Sequence, residues 1–87
     1  MALYMLLSEN TSLEKLAAVF SEGDGLLLLA DGVYLLPFLA HYKTVYVRSK
    51  DLQQRGISID GFKNAVSLSD EQWVELTLSQ QPVVSLK

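Results

Sequence analysis

The sequence contains no cysteine among its 87 residues. That absence removes disulfides, thiolate catalysis and cysteine-based zinc sites together, and is compatible with a reducing, cytoplasmic setting. A single histidine, His41, leaves no histidine-built metal cluster and only one imidazole around which a triad could form. Positive charge is also scarce. Seven Lys and Arg stand against ten Asp and Glu, for a net charge of −3. The basic residues are scattered without a run, which argues against direct binding to nucleic acid or an anionic membrane. Gly23, Gly25 and Gly32 match neither phosphate-loop spacing and read as turns. Met1–Leu7 is apolar but only a strand's length, with no basic flank, so neither a signal peptide nor a membrane span is expected.

What is present is apolar. Hydrophobic types make up 49% of the chain. A single domain over residues 1–87 buries only about 60–65% of its unfolded surface. The excess apolar area is therefore expected at the surface, where large patches mark partners.

Ala2–Leu7 is a short apolar run ending at Ser8-Glu9-Asn10, as expected of a strand covered on both faces. Thr11-Ser12-Leu13-Glu14 spells a capping box, with Thr11 as the cap. Behind it Leu13, Leu16, Ala17 and Phe20 recur at helical spacing. Leu26–Ala30 reads as a central strand, ended by Asp31-Gly32 with Asp31 as a helix N-cap. Val33–Tyr42 follows as a helix or helical turn packed on the sheet, kinked or restarted at Pro37. Thr44–Arg48 is β-branched and aromatic, hence a third strand. Ser49–Gly56 reads as a two-turn helix closed by glycine, with Arg55 complementing its dipole. After a loop turning at Gly61, Ala65–Leu68 is a fourth strand. Ser69-Asp70-Glu71-Gln72 repeats the capping-box pattern before a helix carrying Trp73, Val74, Leu76 and Leu78. Pro82 ends that helix. Val83–Leu86 is either a fifth, edge strand or an arm that docks on a neighbour.

Strands alternating with helices predict an α/β fold with right-handed crossovers and a small, mainly parallel sheet of four to five strands between helical layers. Such sheets bind ligands beyond the carboxyl ends of their strands. Chemistry is therefore sought at Ser8–Asn10, Asp31–Val33, Ser49–Asp51 and Ser69–Asp70. Glu9 and Asp31 could hold Mg²⁺ as in a phospho-acceptor receiver, with Lys87 as the only late lysine, but the competing role of Asp31 is structural. Arg48 and Arg55 could grip an acidic group on a partner or stand solvated. Trp73 and the four tyrosines are too separated for base stacking and read as core or interface anchors.

Taken in order, Glu22-Gly23-Asp24, the strand Leu26–Ala30, Asp31-Gly32-Val33, Val45–Val47, Asp51-Leu52 with Arg55-Gly56, and Trp73–Thr77 resemble the DsrH/TusB family over nearly the whole chain. The resemblance implies a three-layer α/β/α DsrE-like fold. It also implies a place as the smallest of three related subunits in a cytoplasmic heterohexamer, beside TusC/DsrF-like and TusD/DsrE-like chains. That assembly relays persulfide sulfur toward 2-thiolation of the wobble uridine of certain tRNAs. DsrH chains of sulfur oxidisers can carry a cysteine in the first helix, where this sequence has Glu14, Lys15, Leu16 and Ala17. The family's C-terminal tryptophan has no counterpart in Ser85-Leu86-Lys87.

The chain is thus expected to be a non-catalytic subunit, without cofactor or metal, that holds its sister subunits through apolar surface. The helix Val33–Tyr42 is the first candidate contact, through Tyr34, Leu36, Phe38, His41 and Tyr42. Removal of Leu36 or Phe38 is expected to weaken assembly before it unfolds the domain. The alternative is a stand-alone homo-oligomeric α/β module that binds a small anionic ligand at Asp31 and the loop after it.

Overall fold

The structure is a computed structural model and describes residues 2–86. Met1 and Lys87 lie outside the described residues, and with Lys87 the late lysine of the receiver reading. Five strands alternate with helices: β1 Leu3–Leu6, α1 Leu13–Val19, β2 Gly25–Leu28, a 3-10 helix Ala30–Phe38, β3 Val45–Arg48, α2 Ser49–Arg55, β4 Ala65–Leu68, α3 Asp70–Ser79 and β5 Val83–Leu86. All pairings are parallel, in the order β4-β3-β2-β1-β5. The fold is α/β, a three-layer α/β/α arrangement.

Side chains alternate across the sheet and sort into two cores. Leu6, Leu26, Leu28, Val45 and Val47 face one way and meet Leu16 of α1, Val33 and Leu36 of the 3-10 helix, and Leu52 of α2. Leu3, Leu27, Leu29 and Leu68 face the other way, against Trp73 and Leu76 of α3. This unequal division follows from strand order. From β1 to β4 each right-handed crossover adds a strand in one direction, so α1, the 3-10 helix and α2 share a face. The step from β4 to β5 runs the opposite way, beyond β1, and the same handedness puts α3 on the other face alone.

Every residue of β2 is buried, as its Leu run predicts for the middle of the sheet. Val83–Leu86 proves to be an edge strand, with Leu3 opposite Val83 and Leu6 opposite Leu86. Gly56 closes α2 as expected, at φ 64°, but the helix start is not capped by a side chain: Ser49 is already helical and Arg48 stands at the cap position without a capping bond. Ser69 and Gln72 form the reciprocal capping box of α3.

Several local expectations are corrected. The cap of α1 is Ser12, which accepts from the Lys15 N–H at 3.3 Å; the buried Thr11 hydroxyl instead donates to the Ser8 carbonyl at 2.9 Å. Ala17 is exposed, so the buried stripe of α1 narrows to Leu16, with Leu13 and Phe20 partly buried beside it. Asp31 is not an N-cap, because the helix begins one residue earlier, after Leu29. Gly25 and Gly32 are not turn residues. Gly25 opens β2, and Gly32 lies so close to the Leu6 carbonyl oxygen that a Cβ would collide with it.

The segment after β2 is helical as expected, but it is a 3-10 helix that begins at Ala30 and ends at Phe38, short of Tyr42. Val33, Leu36 and Leu39 are each 1% exposed. Their spacing of three matches three residues per turn, which puts all three on the sheet side. Leu36 is therefore core, and it drops out of the contact surface expected for this segment. Tyr34 and Phe38 stand clear of the core at 44% and 64% exposure. Leu36→Ala should lower unfolding free energy by about 2–5 kcal/mol and Phe38→Ala by about 0.5 or less, read from urea midpoints of the isolated chain.

Candidate functional site

The parallel sheet brings the residues that follow β2, β3 and β4 to one edge, and there they pair with each other. The Arg55 guanidinium lies 2.9 Å from the Asp31 carboxylate and 3.7 Å from that of Asp51. Arg48 lies 3.7 Å from Asp51 and 3.0 Å from Asp70. The result is a ladder of alternating charge, Asp31–Arg55–Asp51–Arg48–Asp70, along the carboxyl ends of three strands. Its ends are open to water, whereas Asp51 in the middle is 5% exposed. Asp51 Oδ2 accepts no hydrogen bond among the described residues, so two flanking guanidinium groups rather than a donor hold this buried charge. Arg48 also lies over the Trp73 ring at 4.9 Å, and its hydrogen bond to Asp70, with the nearby acids, raises its pKa further above the ordinary value.

Of the motif residues, Asp31, Asp51 and Arg55 meet in this ladder. Val33 and Leu52 lie beneath it in the core, Gly32 permits the close crossing over β1, and Gly56 closes α2. Arg48 and Arg55 do not stand solvated alone; they hold carboxylates of their own chain. The signal that unites them is topological. Arg48 and Asp70 each sit at a strand-to-helix junction, and parallel strands put such junctions on one side. After β1 the polar residues satisfy each other, since Ser8 Oγ accepts from the Asn10 N–H and the Ser8 carbonyl accepts from Thr11. Glu9 is exposed, and among the described residues no group of three His, Asp or Glu side chains could hold a metal ion.

Gly23 and Asp24 lie at the opposite, amino edge. There a cleft of about 500 Å³ is lined by Phe20, Asp24, His41, Tyr42, Tyr46 and Gln80, among others. Phe20 meets Tyr42 edge-on at 4.9 Å and His41 lies against Tyr42 at 4.4 Å. Burial raises the Tyr42 hydroxyl pKa. Asp24 accepts the N–H groups of Ser21 and Ala2 at 2.9 Å each, and these bonds, Ser21 first, hold its carboxyl below the usual range. Of the expected contact residues, then, His41 is exposed and Tyr42 half-buried in this aromatic stack, apart from Leu36 in the core.

The fold and site define a thiol-free α/β/α domain whose ligand-prone edge is closed by its own ion pairs. A model of the family described as DsrH like protein matches residues 7–83. The chain belongs to the DsrH-like family, a family of sulfur-relay subunits. No curated protein matches it in sequence. No helix among the described residues is long and apolar enough to cross a membrane.

Two measurements follow. Asp51→Asn, which leaves two arginines facing a neutral group, should destabilise the chain by about 2 kcal/mol, below the 3–5 of a fully broken buried pair because Asp31 and Asp70 remain. A depressed carboxyl pKa stabilises the fold above the unfolded value and loses that contribution as pH falls through the folded one. Wild type should therefore lose more stability than Asp24→Asn as pH falls through and below the ordinary Asp range, in urea titrations at each pH.

Proposed function

We propose that this chain is a non-catalytic subunit of a TusBCD/DsrEFH-like sulfur-relay complex in the cytoplasm, supporting persulfide transfer for 2-thiolation of the tRNA wobble uridine. The observation that carries this reading is a sulfur-relay family match over residues 7–83 in a chain with no cysteine. A persulfide needs a thiolate to hold it. Sulfur must then travel on a cysteine of a TusD/DsrE-like partner, while this chain and a TusC/DsrF-like partner complete the assembly. The stretch where sulfur-oxidising relatives carry a cysteine is Glu14, Lys15, Leu16 and Ala17, and Leu16 is fully buried there. That pattern favours the tRNA-thiolation branch over sulfur oxidation.

The carboxyl edge supports the same choice over the small-anion module. Asp31 presents negative charge, and its one close cation among the described residues, Arg55, is already engaged by Asp31 and Asp51. A free anion arriving there would meet two carboxylates. Tyr34 and Phe38 supply apolar surface for one sister subunit, through exposed rings whose loss leaves the core intact.

Co-expression with DsrE-like and DsrF-like chains, followed by native mass measurement, should give a mixed complex. Labelled persulfide sulfur should reside on the DsrE-like chain alone. A homo-oligomer that ignores both chains would instead favour the anion-binding module.

A further inference from the structure

The sheet is unevenly dressed, and the thin side shows what it lacks. All-parallel sheets bury both faces. Here one face carries α1, the 3-10 helix and α2, and the other carries α3 alone. The strand centres of β4 and β5 are about 19 Å apart at ordinary strand spacing, and a ten-residue helix about 15 Å long and 10 Å wide cannot cover that width. Consequently Val66 on this face is 42% exposed, and Met5, Tyr46 and Val83 are only partly buried.

The outer side of α3 continues the exposure. No residue of α3 is buried, and Val74 and Leu78 are 50% and 73% exposed. They lie one turn apart, and Glu71 and Glu75 form a second row beside them, three residues before each. Asp70 is neutralised by Arg48, but no cation of the described residues pairs with Glu71 or Glu75. Residues 64–86 contain no Lys or Arg at all. An apolar pair edged by unneutralised acid therefore sits beside an under-covered sheet face.

We infer that this surface, Glu71, Val74, Glu75 and Leu78 of α3 with Val66 of β4, docks an apolar strip flanked by Lys or Arg on a sister subunit of the complex. The inference rests on the sulfur-relay reading and names a contact within it. Charge selects the occupant. A second copy of this chain would bring Glu71 and Glu75 against themselves in a two-fold contact, where like charges repel. A basic-edged partner satisfies both rows at once. This contact is separate from Tyr34 and Phe38, on the opposite side of the sheet, so one chain can hold two sisters.

The test uses the complex co-expressed with its DsrE-like and DsrF-like chains, comparing wild type with Glu71→Lys/Glu75→Lys and with Val74→Ser/Leu78→Ser. Both double variants change exposed positions, and each isolated chain should stay folded, with a melting temperature lowered by no more than a few degrees because Glu71 lies in the first turn of α3. Each should raise the dissociation constant for the mixed complex about tenfold or more. The wild-type constant should also rise between about 0.1 M and about 0.5 M salt, a dependence the charge-reversed variant loses. If the serine variant fails to fold, the charge-reversed variant and the salt series decide alone. Wild-type assembly with unchanged variants overturns this docking surface and leaves the sulfur-relay reading standing. Failure of the wild type to assemble overturns both. A wild-type homodimer dissolved by the serine substitutions would overturn the choice of a sister chain as occupant.

Discussion

The handedness of strand crossovers is the constraint from which the rest of this molecule follows. Three successive steps in one direction, β1 to β4, load three helical segments onto one face. One reversed step, β4 to β5, leaves a single short helix on the other. Nothing in the composition of α3 could alter that outcome. The chain thus has a well-filled core around Leu26, Leu28, Val33 and Leu36, and a second, smaller one around Leu27, Leu29 and Leu68. Part of the apolar surplus, Val66, Val74 and Leu78, collects where the helices are fewest, while Tyr34 and Phe38 carry more of it on the opposite side.

The same parallel order explains why the usual ligand edge is occupied. Asp31, Arg48, Asp51 and Asp70 sit at or just after strand-to-helix junctions on the carboxyl side, and Arg55 reaches Asp31 and Asp51 from the last residue of α2. Arg48 and Arg55 straddle Asp51 and reach Asp70 and Asp31, tying the end of β3 to the 3-10 helix, α2 and α3. A buried carboxylate of this sort adds specificity more readily than net stability, since desolvation offsets most of the attraction.

Much of this was legible in the residues. The Leu26–Leu29 run announces a strand with no solvent face, Ser69 with Gln72 announces the start of α3, and Arg55-Gly56 announces the end of α2. Other features were hidden for physical reasons. Thr11 and Ser12 are adjacent hydroxyls, and only the backbone shows which one caps. Val33, Leu36 and Leu39 fit an α-helix by their i, i+3 spacing as well as they fit a 3-10 helix. A segment apolar on every side does not reveal that Leu36 points inward while Phe38 points out. The charge ladder was the least accessible feature, because its five members lie on four separate segments that only the strand order brings together. For the same reason the sequence turned attention to the Val33–Tyr42 segment and away from α3, whose exposure depends on where β5 is inserted.

Amide hydrogen exchange on this chain, alone and co-expressed with DsrE-like and DsrF-like chains, decides whether the thinly covered face docks a partner. Exchange should slow in a mixed complex over Asp70–Ser79 and Ala65–Leu68, with the carboxyl-edge residues Ser49–Arg55 unchanged. Unaltered exchange in α3 and β4 within an intact complex, or protection confined to the carboxyl edge, would contradict such docking.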